Sequence, residues 1–152
     1  RTDKEVLENF AMLSGYEVVA FDAVDEHGFP IYHTNVMMCI GEKFAVVCLD
    51  SIKYTEDKIA VLESFKATKK TVIDISFDQM NHFAGNMLEV KNKEGHSLLV
   101  MSEQALKALH GTQITALSAF SKIVTAPLYT IEQNGGGSAR CMLAEVHLPL
   151  KP

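Results

Sequence analysis

Three anchors recur along the chain at spacings of 51 and 55 residues: Asn35-Val36-Met37-Met38, Asn86-Met87-Leu88 and Cys141-Met142-Leu143. Each opens an apolar run of strand length. A near-constant spacing of this size is the signature of a repeated structural unit. After Asn35 the pattern predicts a strand, a turn at Gly41-Glu42-Lys43 and a second strand from Phe44 to Leu49. After Asn86 it predicts a strand, a turn at Asn92-Lys93-Glu94-Gly95 and a second strand from Ser97 to Met101. Both pairs read as β-hairpins with glycine in the turn.

A helix follows in each copy. Ile59, Leu62 and Phe65 form one apolar stripe, and Ile114, Leu117 and Phe120 form its counterpart 55 residues later. Thr55 and Thr112 stand near the expected helix starts, where a capping hydroxyl is useful. A further strand is expected over Thr71–Ile75 in the first copy and Ile123–Ile131 in the second. The copies close on Asp78-Gln79 and Glu132-Gln133, 54 residues apart. The unit is therefore strand, strand, helix, strand. Before it, Thr2 and Glu5 suggest a capping box. Val6, Leu7, Phe10 and Leu13 give a helix stripe, Gly15 gives a stop, and Tyr16–Val24 reads as a strand. The competing reading is a non-repeating α+β domain with similar punctuation.

Units of this kind bury their open faces against one another. The loops before Asn35, Asn86 and Cys141 should then converge at one end of the fold, bringing together His33, Asn35, Asn86, Arg140 and Cys141. Cys141 follows Gly135-Gly136-Gly137-Ser138-Ala139-Arg140. Glycines permit close approach to a ligand, and a neighbouring arginine favours the thiolate, the nucleophilic form. A flexible loop leading into a buried strand cysteine is the equally weighted alternative. Histidine is the usual proton-transfer partner of a cysteine nucleophile. His33 is the candidate, with His82 in reserve. Read without the repeat, His33 is simply a polar side chain at a strand edge. His27, His96, His110 and His147 lie by turns, a helix end or a strand end.

Composition removes other classes. Fourteen basic residues against nineteen acidic ones leave a net charge of −5, which disfavours nucleic-acid and anionic-membrane partners. No apolar run approaches membrane-spanning length. The content of 47% hydrophobic and 22% charged residues is that of a globular chain, and the length suits one domain. Cys39 and Cys48 sit in apolar runs and are expected to pack as small hydrophobes. Met37, Met38, Met87 and Met142 are expected as core filler. No secretory signal is visible at the N-terminus. The cysteine pattern suits a reducing, cytoplasmic compartment. No CxxC, HExxH or phosphate loop is present, so neither a metal nor a cofactor is expected. Asp50, Glu56, Asp57, Glu63 and Asp74 read as solvated charges. The start at Arg1 suggests a fragment or a processed chain.

Tyr32-His33-Thr34-Asn35-Val36-Met37-Met38 and Gly135-Gly136-Gly137-Ser138-Ala139-Arg140-Cys141-Met142 resemble the amidinotransferase, or guanidino-group-modifying, superfamily. Arginine deiminase, dimethylarginine hydrolase and glycine amidinotransferase belong to it. The nearest likeness is to its bacterial amidinotransferase-like branch, which includes citrulline hydrolases. The resemblance implies the pentein fold, a five-module α/β propeller of ββαβ units. Residues 1–152 would be the C-terminal part of that single domain, about half of the ring. It implies Cys141 as nucleophile and His33 as catalytic histidine. Asn35 would stand where arginine deiminases place an aspartate that grips the guanidinium. The acidic partner of the histidine and most substrate ligands would lie in the N-terminal half.

The expected function is then a cysteine-dependent hydrolase or amidinotransferase acting on a guanidino or ureido amino acid. Asn35, Arg140 and Asn86 are its candidate substrate-binding residues. Alone, the chain is expected to be inactive. It should need the remaining half, or a second copy of itself as a homo-oligomer, to cover its open module faces. The alternative is a non-catalytic pentein-fold binding module such as a ribosome-associated factor. The pair His33 and Cys141 in matched loops argues for the enzyme.

Overall fold

A computed structural model describes residues 3–145. Helix α1 covers Lys4–Ser14. Its N-cap is Asp3, which accepts the Val6 N–H; Thr2, the expected capping residue, lies outside the described residues. Gly15 closes the helix at φ 73°, a left-handed value that glycine adopts without strain. The predicted stripe is present, but Val6, Phe10 and Leu13 remain exposed.

The expected strand over 16–24 is absent. Only isolated bridges form, Ala23 with Ile52 and Val24 with Pro30. Among the described residues no strand pairs with this segment as a ladder, and Val18 and Val19 stay exposed.

Two ββαβ units follow. In the first, a short helix α2 (Thr34–Met37) leads into β1 (Met38–Ile40), β2 (Phe44–Val47), α3 (Thr55–Ala67) and β3 (Thr71–Asp74). Helix α4 (Phe77–Asn81) connects to the second unit: β4 (Leu88–Lys91), β5 (Ser97–Ser102), α5 (Glu103–Ala108), α6 (Gly111–Ser118) and β6 (Lys122–Ala126). In both sheets the hairpin is antiparallel and the last strand joins its centre in parallel. Cys39 faces Val46 and Val46 faces Ile73; Glu89 faces Leu99 and Leu99 faces Ile123. The expected unit is thus present twice. The second hairpin turns on Asn92, whose Oδ1 accepts the Glu94 and His96 N–H groups, with Gly95 at φ 82°.

Differences from the expected elements have local causes. Residues 34–37 form a helical turn, not a strand, because the His33 ring caps them by accepting the Asn35 N–H. The strand expected to reach Ile131 ends at Ala126. Pro127 has no N–H for a ladder, and α7 (Tyr129–Gly135) begins instead. Tyr54 and His110, not Thr55 and Thr112, occupy the N-cap positions. In α3 the buried pair is Val61 and Phe65, while Ile59 is exposed. Cys141 lies in a 3-10 turn, Ala139–Met142, and the strand expected after it is not formed within the described residues.

One core joins the two units. Met37, Phe44, Val46, Cys48, Leu99 and Met101 are fully buried within it. Phe44 stacks on Phe120 across the junction, with ring centroids 5.7 Å apart. Gln79 and Gln113 exchange amide hydrogen bonds of 2.7 and 3.1 Å between α4 and α6. Burying such groups is tolerable because each is paired. Met37, Met38 and Met87 are buried as expected, but Met142 is half exposed.

Candidate active site

His33 ends an extended segment, with φ −152° and ψ 131°, immediately before α2. Its Nδ1 accepts the Asn35 N–H at 3.1 Å. A backbone N–H can only donate, so the neutral ring carries its proton on Nε2.

Asn86 is delivered by a tight turn after α4. Phe83 sits at φ 64°, a left-handed conformation that costs a bulky residue about 1 kcal/mol or more. The turn is held by Phe83 N–H to Met80 O, Ala84 N–H to Gln79 O and Asn86 N–H to Phe83 O, at 2.9–3.0 Å. Gly85 lets this turn cross the first unit. A Cβ there would lie 2.5 Å from the Val36 carbonyl oxygen and 2.9 Å from the Met37 carbonyl carbon.

The Asn86 side chain, 4% exposed, joins all three anchors. Its Nδ2 donates to the Asn35 carbonyl at 3.1 Å and to Cys141 Sγ at 3.2 Å. Its Oδ1 accepts the Arg140 N–H at 3.0 Å. The expected convergence of the loops is therefore carried by one amide, whose donor and acceptor groups are all engaged within the protein. Asn86, expected as a substrate-binding residue, holds the three loops through its amide and lines the same cavity.

Cys141 is exposed, whereas Cys39 and Cys48 are buried. Burial pushes the Cys39 thiol up to about 12, partly offset by the Arg140 guanidinium nearby. Burial also raises the Cys48 thiol. Gly137 packs directly on the Cys141 side chain: a Cβ there would lie 3.2 Å from Cys141 Cβ and 3.3 Å from Sγ.

His33, Asn35, Asn86, Arg140 and Cys141 all line one cavity of about 580 Å³, walled also by Tyr32, Met80 and Phe83. Arg140 stands between it and a second cavity of about 860 Å³ bordered by β1 and β4. Among the described residues, the wall of the first cavity holds one guanidinium, that of Arg140, and no carboxylate. His82, the reserve candidate, hydrogen-bonds the Asp78 carbonyl at 2.7 Å and does not line this cavity. His147 lies outside the described residues. Among the described residues no group of three or more His, Cys, Asp or Glu side chains is arranged to hold a metal ion, and no helix is long and apolar enough to cross a membrane.

Sequence reasoning missed Phe83, Gly85 and the buried pair Glu132 and Ser138. Gly85 carried a signal, a glycine directly before an anchor. Phe83 carried none, since nothing in its chemistry announces a left-handed backbone.

Fold and site together define a class: a ββαβ repeat protein that brings a helix-capping histidine and a cysteine preceded by a glycine-rich loop to one cavity. The chain belongs to the family described as N,N dimethylarginine dimethylhydrolase, eukaryotic, whose model matches residues 1–148, and so to the amidinotransferase-like, pentein superfamily. No curated protein sequence matches it.

Solved structures share the fold. The product-bound N-terminal domain of ArgZ, an arginine dihydrolase of the ornithine–ammonia cycle in Cyanobacteria, matches with a TM-score of 0.68 and 18% identity, over 93% of this chain and 46% of that one. Apo ArgZ from the same source matches with 0.67 and 17%, over 93% and 20%. The complex of AgrE with ornithine and NAD+ matches with 0.65 and 17%, over 96% and 20%. The chain spans less than half the length of each of these structures. A variant of the ArgZ domain has been solved covalently bound to a reaction intermediate.

Proposed function

We propose that the chain is the C-terminal half of a cysteine-dependent hydrolase that acts at the guanidino or ureido carbon of an arginine-type amino acid. The observation that carries this reading is the hydrogen bond from Asn86 Nδ2 to Cys141 Sγ, made in a cavity that His33 also lines. An amide N–H aimed at sulfur is the donor a thiolate accepts. The family description and the names of the structural neighbours, hydrolases of arginine or of a methylated arginine, support the same reaction class.

In this reading Cys141 Sγ attacks the central carbon. The carbon–nitrogen bond to the leaving amine breaks, and the amine takes its proton from doubly protonated His33. To become doubly protonated the ring must gain a proton at Nδ1, so it turns away from its cap on the Asn35 N–H. Water then attacks the covalent adduct, gives a proton to His33, and Cys141 leaves as thiolate. One hard displacement becomes two easier ones. Amidino transfer differs only in that an amine replaces this water.

The finer substrate reading is a neutral ureido group, as in citrulline, over a guanidinium. Its support is Asn35 on the wall, where a carboxylate would suit a cation, beside a described lining of one guanidinium and no carboxylate. A buried cation without a partner is costly, whereas an amide offers a neutral urea both a donor and an acceptor. The acidic partner of His33 belongs to the remaining half, and the chain alone is inactive. The test is turnover of citrulline and of arginine by the intact protein, beside Cys141→Ser. Loss of all turnover in Cys141→Ser supports the mechanism; turnover at the parent rate refutes it.

A further inference from the structure

Glu132 and Ser138 stand on either side of the three-glycine stretch that leads to Cys141. Glu132, on α7, is 5% exposed, and Ser138 is fully buried. Ser138 Oγ donates to Glu132 Oε1 at 2.6 Å. The second carboxyl oxygen, Oε2, is buried and has no hydrogen-bond partner among the described residues. The Ser138 carbonyl in turn accepts the Cys141 N–H at 3.1 Å.

A buried carboxyl group with one oxygen unpartnered is costly. An apolar pair of the same volume would serve stability as well or better. Stability alone does not account for the pair. The glycines supply a reason. Gly136 sits at φ 65°, a Cβ at Gly136 would meet nothing within 4 Å, and one at Gly135 would meet only an Ile131 methyl at 3.8 Å. The stretch is therefore free of close packing until Gly137, and glycine has the most conformational freedom to lose. The bond between Glu132 and Ser138 closes the loop across it. Asn86 holds the turn from the other side, through the Arg140 N–H and Cys141 Sγ.

We propose that Glu132 is a positioning residue: through Ser138 it fixes the turn that places Cys141 Sγ against Asn86 and the substrate carbon. This rests on the reading of Cys141 as nucleophile. A misplacement of about 1 Å at a reacting atom is enough to cost around 100-fold in rate.

The experiment uses the intact protein and the variants Ser138→Ala, Glu132→Ala, Glu132→Gln and the double variant Ser138→Ala/Glu132→Gln, with Cys141→Ser as reference. Steady-state kinetics and amide hydrogen exchange over 135–142 are measured for each. Ser138→Ala and Glu132→Ala are expected to lower kcat by roughly 10- to 100-fold with KM within about twofold, and to raise exchange across the loop. Glu132→Gln, whose Oε1 still accepts from Ser138, should stay within about fivefold of the parent. The double variant should match Ser138→Ala. Wild-type kcat in Ser138→Ala, or a Glu132→Gln variant as slow as Glu132→Ala, would overturn the proposal. Should Glu132→Ala not fold, Ser138→Ala removes the same bond. If Cys141→Ser keeps its turnover, the nucleophile reading is what fails, and exchange over 135–142 alone decides the clamp: unchanged exchange in Ser138→Ala overturns it.

Discussion

Asn86 Nδ2 donates to Cys141 Sγ across a 55-residue separation, at 3.2 Å. The same amide group reaches Asn35 O, 51 residues away in the other direction. Two repeat spacings thus end on one side chain. Asn86→Ala leaves the Arg140 N–H and the Asn35 carbonyl without their partner. It should destabilise the fold by about 3 kcal/mol, read by urea denaturation. Asn86→Asp keeps the acceptor for the Arg140 N–H but faces the sulfur with a carboxylate. It should lower kcat/KM by about 100-fold or more, with a smaller loss of stability than Asn86→Ala.

Two glycines separate folding from chemistry. At Gly85 an added Cβ meets backbone, 2.5 Å from Val36 O, and backbone cannot step aside. Gly85→Ala should cost about 2 kcal/mol or more. At Gly137 the added Cβ meets the Cys141 side chain at 3.2–3.3 Å, which gives by a few tenths of an ångström. Gly137→Ala should change stability by less than about 1 kcal/mol yet lower kcat about tenfold. Thermal melting beside steady-state kinetics checks both.

The cysteines make a prediction about pH. Burial raises the Cys39 thiol from 9.0 to about 12. The folded state therefore keeps a proton that the unfolded chain releases above pH 9. The stability linked to Cys39 is complete below pH 9 and is lost as pH rises toward 12, with a slope of about 1.4 kcal/mol per pH unit. Cys39→Ala should flatten stability over this window relative to the parent, measured by denaturant titration at pH 8, 9 and 10. In the native protein at pH 8, iodoacetamide should label exposed Cys141 ahead of buried Cys39 and Cys48, read by peptide mapping.

Much of this arrangement is legible in the sequence, for identifiable reasons. The ββαβ units are local patterns: alternating apolar residues, glycine turns and a helix stripe, each repeated at a near-constant interval. That interval alone places Asn35, Asn86 and Cys141 at one end of the fold, where the Asn86 amide joins them. What stayed hidden is tertiary or backbone-borne. Residues 34–37 read as a strand, because nothing in the apolar run Val36–Met38 announces that His33 will cap a helical turn. Residues 16–24 also have strand composition, but a strand exists only where a neighbour pairs with it. Asp78-Gln79 and Glu132-Gln133 look equivalent, yet Gln79 is the buried member of the first pair and Glu132 of the second. A shift of one residue on a helix changes which side chain faces inward, and composition does not record it.

The proposed reading assigns to Asn35 the choice between a neutral and a cationic group. The intact protein should turn over citrulline with a higher kcat/KM than arginine. Asn35→Asp should shift the ratio toward arginine by tenfold or more, since a carboxylate partner for a buried cation is worth on the order of a few kcal/mol. Parallel kcat/KM measurements on parent and variant check this. Faster turnover of arginine by the parent would remove the charge reading and leave the cysteine chemistry untouched.

In the proposed mechanism Cys141 carries the reacting carbon as a covalent adduct. The direct measurement is acid quenching of the intact protein during turnover of citrulline and, separately, of arginine, followed by peptide mass spectrometry across residues 135–145. The account predicts a mass increase on Cys141 that appears with substrate, decays as substrate is exhausted and is absent in Cys141→Ser, which should also lack turnover. Full turnover in Cys141→Ser, or an adduct confined to another residue, would contradict it.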